Sequence, residues 1–161
     1  MKQQFRIGYG YDVHSFSRDR ILVLGGIVIP SEMGLEGHSD ADVLLHAICD
    51  AMLGALALGD IGKHYPDSSE RFKDIDSKIL LHHTNELVSQ KGYELNNLDA
   101  TVVMQKPKIA PYINLMQKEI ADVLGVELNQ ISIKATTSER LGFIGRTEGA
   151  AAYAVVMLNK K

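Results

Sequence analysis

The sequence predicts an α+β fold, a single domain over residues 1–161 in which a mixed β-sheet carries helices packed on one face. Three observations support this prediction. Segments with strand and helix periodicity follow in the order hairpin, helix, helix, strand, helix, strand, strand, which is typical of the α+β class. The chain has 161 residues, 45% of them hydrophobic, so it fits one domain with its own core. No repeat, low-complexity tract or linker divides it.

The N-terminal part of the chain is predicted to be β-structure. Its three strands are residues 5–14, 21–24 and 27–29. Gly25-Gly26 supplies the turn between the last two strands, and Pro30 ends them. A loop over residues 33–37 then leads to the first helix. This helix is expected to begin at Ser39, three residues before Asp42 as in a capping box, and to run to about Leu58 before Gly59.

Two more helices and three more strands complete the predicted fold. The second helix spans about residues 77–91, and the third opens at Pro111 and ends at Gly125. The inner face of the second helix is predicted to consist of Ile79, Leu80, Thr84, Leu87 and Val88. The remaining strands are residues 99–105, 131–135 and 150–158, with an irregular segment at 59–74 and a loop at 136–149.

Composition argues against several classes of function. The 17 Lys and Arg are outnumbered by 20 Asp and Glu, and no basic run precedes Lys160-Lys161, so no nucleic-acid partner is expected. Cys49 is the one cysteine; we expect a buried hydrophobic residue in a reducing compartment and no intrachain disulfide. Residues 51–58, the longest apolar stretch, are too short to span a bilayer, so a cytoplasmic protein without a membrane partner is expected.

Three side chains have the spacing of a metal site. Asp12 and His14 are two residues apart, so on a strand they project from one face. His46 lies one helical turn after Asp42, in a segment where ionisable residues crowd among small and apolar ones. Such a cluster must be solvated, paired or bound to a cation. We expect Asp12, His14 and His46 to bind a catalytic zinc that keeps one position open.

Several neighbours of this set have both a functional and a plain interpretation. Asp42 could accept a hydrogen bond from the second ring nitrogen of His46, or be a polar residue on the outer helix face. Ser39 is predicted to cap the helix, and with His38 it could also bind a phosphate at the helix N-terminus. The cluster at residues 136–140 suits a diphosphate with Mg²⁺, although as a lone motif it is weak.

Four sequence blocks carry a resemblance to a known family. They are GYDVH at residues 10–14, GLEGHSDADVLLHA at 34–47, LGDIG at 58–62, and KATTSE at 134–139 followed by Gly145-Arg146. In this order they resemble the 2-C-methyl-D-erythritol 2,4-cyclodiphosphate synthases of the non-mevalonate isoprenoid pathway. The likeness covers essentially the whole chain, and the block at 37–47 is highly specific.

The resemblance implies a fold, an assembly and a reaction. A homotrimer is expected, with the sheets around the three-fold axis and active sites between neighbouring subunits. The 2-phosphate of 4-diphosphocytidyl-2-C-methyl-D-erythritol 2-phosphate would attack the β-phosphorus, which releases CMP and closes 2-C-methyl-D-erythritol 2,4-cyclodiphosphate. The enzyme would therefore be a phosphorus–oxygen lyase that folds its substrate and screens anionic repulsion.

The resemblance also implies residue roles. Asp12, His14 and His46 would hold one Zn²⁺ per subunit, and Glu139 would hold Mg²⁺ or Mn²⁺ on the diphosphate. His38 and Thr137 match the positions of transition-state stabilisers. The methylerythritol and phosphate pocket would comprise Ser39, Asp60, Ile61, Gly62, Tyr65, Pro66, Asp67, Ser68 and Ser69. The cytidine and diphosphate pocket would comprise Met104, Gln105, Lys106, Pro107, Lys108, Ile109, Ala110, Thr136 and Ser138. Phe143 and Arg146 would face the trimer's central channel, which is proposed to accept an isoprenoid diphosphate in this family.

Two departures from the family pattern and two alternatives remain. Ser69 replaces a usual Asp, which removes a carboxylate from the predicted substrate pocket, and Thr147 replaces a usual Gly next to the predicted channel residue Arg146. A zinc phosphoesterase would use the same metal set to activate water, but it would not need the pockets at 104–110 and 136–139. A non-catalytic trimer that binds isoprenoid diphosphates would depend on Arg146 and not on Asp12.

Overall fold

The computed structural model describes residues 4–161 and contains a five-stranded mixed sheet with a separate hairpin. Its strands are β1 (Phe5–Ser17), β2 (Leu22–Leu24), β3 (Ile27–Ile29), β4 (Gly34–Leu35), β5 (Tyr93–Val103), β6 (Ile131–Thr136) and β7 (Gly149–Lys160). Its helices are α1 (Val43–Ala55), α2 (Ile61–His64), α3 (Ser77–Gln90), α4 (Ile113–Leu124) and α5 (Gly142–Gly145). Single 3₁₀ turns lie at Glu70–Phe72, Ala110–Tyr112 and Leu128–Gln130.

The strand order of the main sheet is β4-β1-β7-β5-β6, and β2 pairs only with β3. Antiparallel pairing joins β1 to β7 and β7 to β5, whereas β5 and β6 run parallel. The predicted α+β class with a mixed sheet is therefore confirmed. The C-terminal ends of β1, β5 and β6 lie at the same edge of the sheet, because Val13 and Val103 both pair with Ala151, and Val103 pairs with Thr136.

Helix α1 lies directly on strand β1, and two glycines make this approach feasible. A Cβ atom at Gly8 would stand 1.8 Å from the carbonyl oxygen of Ala51, and one at Gly10 would stand 1.9 Å from that of Ala47. No side chain can occupy those positions. Most of α1 is fully buried, so the contact fixes this helix against the next residues of β1, which are Asp12 and His14.

The opposite face of the sheet is apolar and open. Alternate residues of β1 and β7 that point away from the helices are large and between 37% and 63% exposed. We call this the apolar sheet face, and it consists of Phe5, Ile7, Tyr9, Tyr11, Val13, Tyr153 and Val155. The rings of Tyr11 and Tyr153 stand 5.0 Å apart within it. A contiguous apolar surface of this kind marks an interaction site.

Several predicted boundaries are wrong. Ser39 does not cap the first helix: Ala41 adopts a left-handed conformation with φ of 57°, and the helix begins only at Val43 with Asp42 as its cap. This helix ends at Ala55, before the predicted Leu58. On α3, Ile79 is 56% exposed whereas Leu81 is fully buried, so the inner face is rotated from the predicted one.

Three other predictions missed regular structure. The predicted loop at 33–37 contains the two-residue strand β4, which pairs with the end of β1. Strand β5 begins at Tyr93, six residues before the predicted start, and a bulge between Leu95 and Asn97 interrupts the alternation that sequence reasoning relies on. The predicted loop at 136–149 contains the short helix α5. None of the helices within residues 4–161 has the length and apolar character needed to cross a membrane.

Candidate metal centre

The side chains of Asp12, His14 and His46 converge where β1 meets α1. Asp12 Oδ2 lies 2.8 Å from His14 Nε2 and 3.1 Å from His46 Nδ1, and the two ring nitrogens are 3.1 Å apart. Asp12 and His14 share the helix-facing side of β1, as the spacing of two predicted. His46 stands on the first turn of α1, which Gly8 and Gly10 bring against the strand.

This donor set fits a zinc ion. Four tetrahedral ligands with bonds of about 2.0–2.1 Å stand about 3.3 Å from one another. The observed separations of 2.8–3.1 Å need only a few tenths of an ångström of outward movement. Two imidazole nitrogens and one carboxylate oxygen are also the set found at catalytic zinc sites, where the fourth position stays open.

The electrostatics favour an ionised carboxylate at the centre. Burial alone would raise the pKa of Asp12, but hydrogen bonds and charge interactions with His14 and His46 lower that pKa to about 2. Burial would lower the pKa of His14, yet the hydrogen bond to Asp12 and a further one to the backbone of Glu36 raise it. Asp12 is thus an anion at neutral pH, ready to bind a cation.

Asp12, His14 and His46 line part of a cavity of about 370 Å³, here called the triad cavity. The metal set lines it together with His38 and Ser39, and five apolar or aromatic side chains also contribute to the lining. The lining residues are Asp12, His14, Gly37, His38, Ser39, His46, Ile61, Gly62, Tyr65, Asp67, Phe72, Ile75 and Leu80. The volume suits a small organic ligand.

The Asp42 side chain does not hydrogen-bond the His46 ring, so its predicted role is wrong. Its Oδ1 accepts the backbone N–H groups of Leu45 and Gly25, both at 3.0 Å, and its Oδ2 accepts that of Gly26 at 2.7 Å. Both oxygens are therefore committed to backbone donors. Asp42 is fully buried and joins the start of α1 to the β2–β3 hairpin. As the cap of the helix, it lies outside the stripe that presents His46.

Two serine hydroxyls contact the other nitrogen of His46, and Asp40 holds one of these serines. His46 Nε2 lies 2.9 Å from Ser77 Oγ and 3.2 Å from Ser39 Oγ. Ser77 Oγ donates to Asp40 Oδ1 at 2.5 Å, and the Ser77 N–H donates to Asp40 Oδ2 at 3.0 Å. Sequence reasoning missed Ser77 and Asp40. Ser77 stands 31 residues from His46 and has no spacing signal toward it; only the packing of α3 against α1 brings them together.

His38 also lines the triad cavity, at its mouth. Its Nε2 lies 3.0 Å from the backbone carbonyl oxygen of Ser69. The residue at position 69 thus contacts His38 through its backbone, and the missing carboxylate does not affect this contact. Of the pocket predicted at 60–69, Ile61, Gly62, Tyr65 and Asp67 line the cavity. Asp60, Pro66, Ser68 and Ser69 do not contribute to its lining; Asp60 instead caps α2 by accepting the N–H of Lys63 at 2.9 Å.

Tyr65 fixes the wall of the triad cavity to helix α3. Its hydroxyl lies 2.9 Å from His83 Nδ1, 3.0 Å from Thr84 Oγ1 and 3.3 Å from the carbonyl oxygen of Leu80. Burial raises the pKa of Tyr65 to about 12. The residue is 8% exposed and its ring packs edge-on against Phe72 at 5.6 Å.

The predicted cytidine and diphosphate residues form a second, separate cavity. It has a volume of about 160 Å³ and lies at the C-terminal ends of β5 and β6. We call it the β5–β6 cavity; its lining is Met104, Gln105, Pro107, Lys108, Ile109, Ala110, Ala135, Thr136 and Thr137. Lys106, Ser138 and Glu139 lie beside this lining in sequence but are not part of it.

The loop that follows β6 is exposed and is held by its own hydrogen bonds. Thr137 Oγ1 donates to Glu139 Oε1 at 3.2 Å and accepts the Glu139 N–H at 3.1 Å. Ser138 Oγ donates to the carbonyl oxygen of Leu141, and the Arg140 N–H donates to Gln105 Oε1. Glu139 and Arg140 both have positive φ, of 53° and 65°. This turn points the Glu139 carboxylate away from the core, where a cation could reach it.

The two cavities share no lining residue. His14 on β1 and Thr136 on β6 stand at the same sheet edge, with β7 and β5 between their strands. Three strand spacings of about 4.8 Å separate them by about 14 Å. One chain therefore keeps the metal set and the predicted diphosphate residues apart.

The predicted channel residues lie on and after α5. Phe143 is 39% exposed, and Arg146 forms a two-point ion pair with Glu148 at 2.8 and 3.1 Å. Thr147 has φ of 60°, a conformation that favours glycine. Thr147 therefore adopts a backbone conformation that is rare for a β-branched residue.

Comparisons with known proteins agree on one family. Residues 5–159 match the YgbB family. A curated relative from Bacillus mycoides, named 2-C-methyl-D-erythritol 2,4-cyclodiphosphate synthase, is 59% identical over 157 residues, which are 98% of this chain and 99% of the relative. The bifunctional IspDF structure from Campylobacter jejuni is 45% identical with a TM-score of 0.95, and the match covers 98% of this chain and 43% of that one. The CDP complex of IspF from Plasmodium falciparum is 35% identical with a TM-score of 0.87 and is covered to 99%, with 100% of this chain.

Proposed function

Because this chain belongs to the YgbB family and is an enzyme of the isoprenoid pathway, similar throughout to 2-C-methyl-D-erythritol 2,4-cyclodiphosphate synthases, we propose the reaction that it catalyses. The substrate is 4-diphosphocytidyl-2-C-methyl-D-erythritol 2-phosphate. Its 2-phosphate oxygen attacks the β-phosphorus, the bond from that phosphorus to the CMP oxygen breaks, and the products are CMP and 2-C-methyl-D-erythritol 2,4-cyclodiphosphate. Residues 1–161 form one catalytic domain.

The convergence of Asp12, His14 and His46 is the observation that carries this proposal. The proposed reaction is an in-line phosphoryl transfer whose nucleophile is already part of the substrate, so the enzyme has to position the reacting groups and reduce their repulsion. A zinc ion held by these three residues would supply a Lewis acid that polarises a phosphate oxygen. His38, at the mouth of the same cavity, can donate a hydrogen bond to charge that develops on the phosphates.

The β5–β6 cavity is proposed to bind the cytidine diphosphate end of the substrate. Residues of the 104–110 segment other than Lys106 line a volume that suits a flat base, and Thr136 and Thr137 place hydroxyl groups at the same cavity. To donate to the diphosphate, these hydroxyls would turn away from the Thr137 carbonyl oxygen and from Glu139 Oε1. Glu139 would hold Mg²⁺ or Mn²⁺, which prefers oxygen ligands and would offset the charge of the leaving CMP. The solved CDP complex of the Plasmodium falciparum relative supports a cytidine nucleotide as the ligand.

A homotrimer would join the two half-sites. In one chain the strands that carry His14 and Thr136 stand about 14 Å apart, so we infer that the substrate's two ends are brought together by a neighbouring subunit. The apolar sheet face supports such an assembly, because seven large side chains are exposed on it. We propose that these faces pack around a three-fold axis.

The central channel of this trimer would be lined by Phe143 and Arg146. Arg146 is neutralised by Glu148 within one chain, so an isoprenoid diphosphate would have to displace that carboxylate. Binding of such a ligand is part of the proposal, and Glu148→Gln should tighten it.

Phosphorus NMR of the substrate with the purified protein, Zn²⁺ and Mg²⁺ tests the reaction. We expect CMP together with a cyclic diphosphate, and neither product with His46→Ala, which removes a proposed zinc ligand. Glu86→Gln on α3 is the control, since Glu86 lines neither cavity and is not a proposed metal ligand. CMP with linear phosphates would mean that water is the nucleophile and that the protein is a zinc phosphoesterase. Turnover by His46→Ala at the wild-type rate would contradict the metal assignment.

A further inference from the structure

We propose that Ser77 and Asp40 are positioning residues that fix His46 with its proton on Nε2 and so keep Nδ1 free to bind a metal. The inference deepens the proposed function, because it concerns the same metal set. It assigns a task to two side chains that lie outside the ligands and outside the predicted substrate pocket. The observations that carry it are the hydrogen bonds of Ser77 and its burial.

The direction of the hydrogen bonds follows from the available protons. A carboxylate can only accept, so the 2.5 Å contact between Ser77 Oγ and Asp40 Oδ1 uses the single hydroxyl proton of Ser77. Ser77 Oγ then has only lone pairs to offer His46 Nε2, which lies 2.9 Å away. His46 must therefore donate through Nε2. A neutral imidazole with its proton there has an unprotonated Nδ1, the atom that faces Asp12 and His14.

The competing arrangement is weaker. His46 could instead place its proton on Nδ1 and donate to Asp12 Oδ2 at 3.1 Å. His14 Nε2 lies closer to that oxygen, at 2.8 Å, and can satisfy it. A proton on His46 Nδ1 would also leave Nε2 facing Ser77 Oγ lone pair to lone pair at 2.9 Å. Nε2 would then have to accept from Ser39 Oγ, which is farther away at 3.2 Å, while the closer contact would be repulsive.

Ser77 and Asp40 are held too firmly to reorient. Ser77 is fully buried at the first turn of α3, and its N–H donates to Asp40 Oδ2 at 3.0 Å. The Asp40 carboxylate thus sits at the N-terminus of a 14-residue helix, where an anion is stabilised. Asp40 Oδ1 also accepts the N–H of Asp42, and the Asp40 N–H donates to the carbonyl oxygen of Ile75. Ser39 differs, because its Oγ accepts the N–H of Ala41 and keeps its hydroxyl proton free to rotate.

The experiment measures zinc affinity and the protonated nitrogen of His46. Zinc affinity is determined by chelator competition for the wild type, Ser77→Ala and Ser77→Thr. We expect Ser77→Ala to weaken zinc binding by about 10–100-fold, the usual effect of removing a group that orients a metal-bound histidine. Ser77→Thr keeps the hydroxyl and should restore most of the affinity. Thr84→Val is the matched control, since it removes a buried hydroxyl from the same helix without touching His46.

Nitrogen-15 NMR of the metal-free wild type, recorded at alkaline pH, shows which ring nitrogen of His46 carries the proton. A purely structural role of Ser77 would not change this result. Nε2 should carry the proton, and Ser77→Ala should shift the population toward Nδ1. A wild-type His46 protonated on Nδ1 would overturn the inference without any variant. Equal zinc affinity of Ser77→Ala and wild type would overturn it as well, whereas failure of the wild type to bind zinc would overturn the metal site itself.

Discussion

The triad cavity and the β5–β6 cavity lie at the same edge of one sheet but are built differently. Asp12, His14 and His46 are held by buried neighbours. Asp42 caps the helix that carries His46, and Ser77, which donates to Asp40, contacts the His46 ring. Thr137 and Glu139 lie on an exposed turn that is held mainly by hydrogen bonds within itself. The first cavity is therefore preorganised within one chain, whereas the second needs another surface to enclose a ligand. We expect zinc binding to be a property of the single chain and turnover to be a property of the assembly.

The largest effect should come from a charge on the apolar sheet face. Val155 is 45% exposed on β7 in the single chain, so a Val155→Glu chain should still fold. Association through the apolar sheet face would bury the new carboxylate without a partner, which is unfavourable, so the subunits should not assemble. We expect dissociation to monomers by sedimentation, turnover reduced by about 100-fold or more, and zinc affinity within about twofold of wild type.

Val155→Thr is the matched control for this variant, because it keeps the shape and adds no charge. A monomeric Val155→Glu variant with full turnover would show that one chain contains a complete active site, and the comparison between the two cavities would then be wrong.

Mixing two inactive variants provides the next largest effect. His46→Ala damages only the triad cavity, and Glu139→Ala damages only the exposed turn beside the β5–β6 cavity. If each active site takes one half from each of two neighbouring subunits, trimers assembled at random from equal amounts should have about a quarter of their sites intact. We expect about that fraction of wild-type turnover after joint refolding, and none from either variant alone. An inactive mixture of verified mixed trimers would argue that both halves act from the same chain.

Acid should weaken the triad cavity through Asp12. Its pKa is lowered from 3.8 to about 2 in the folded protein, so the ionised form stabilises the fold above pH 4 and this contribution is lost as pH falls from 4 to 2. The stability at stake is about 2 kcal/mol. We expect the free energy of unfolding of the metal-free wild type, measured with urea, to fall over that range by this amount more than that of Asp12→Asn. Parallel curves for the two proteins would contradict the close contact with the two histidines.

The smallest effect concerns Tyr65, which joins the wall of the triad cavity to α3. Tyr65→Phe should cost about 1 kcal/mol of unfolding free energy, the net contribution of a buried hydroxyl with partners. Because the pKa of Tyr65 is raised to about 12, the neutral phenol stabilises the fold below pH 10, and this stabilisation is lost as pH rises from 10 to 12. The variant should show a shallower loss of stability in that range. Thr84→Ser, which keeps a hydroxyl partner, should behave as the wild type.

Local sequence determined the parts of this protein that depend on short-range geometry. A spacing of two residues on a strand places Asp12 and His14 on one face in any fold that contains the strand. Gly125 ends α4 with φ of 66°, as its position after the helix predicted. The blocks at 10–14 and 34–47 were sufficient to indicate the family. The shared strand face and the helix end follow from the chain's own stereochemistry and do not depend on which elements pack together.

Only the tertiary structure decided which distant groups meet. The spacing of four favoured Asp42 as the partner of His46, but Asp42 caps the helix and Ser77, from another helix, takes that place. Nor could the sequence show that Gly8 and Gly10 lie beneath α1 while Tyr9 and Tyr11 remain open, since alternation separates two faces without stating which one is covered. The strand order, with β7 and β5 between β1 and β6, separates the strands that carry His14 and Thr136 by about 14 Å. Long-range packing decides such pairings because it selects among arrangements that local periodicity leaves equivalent.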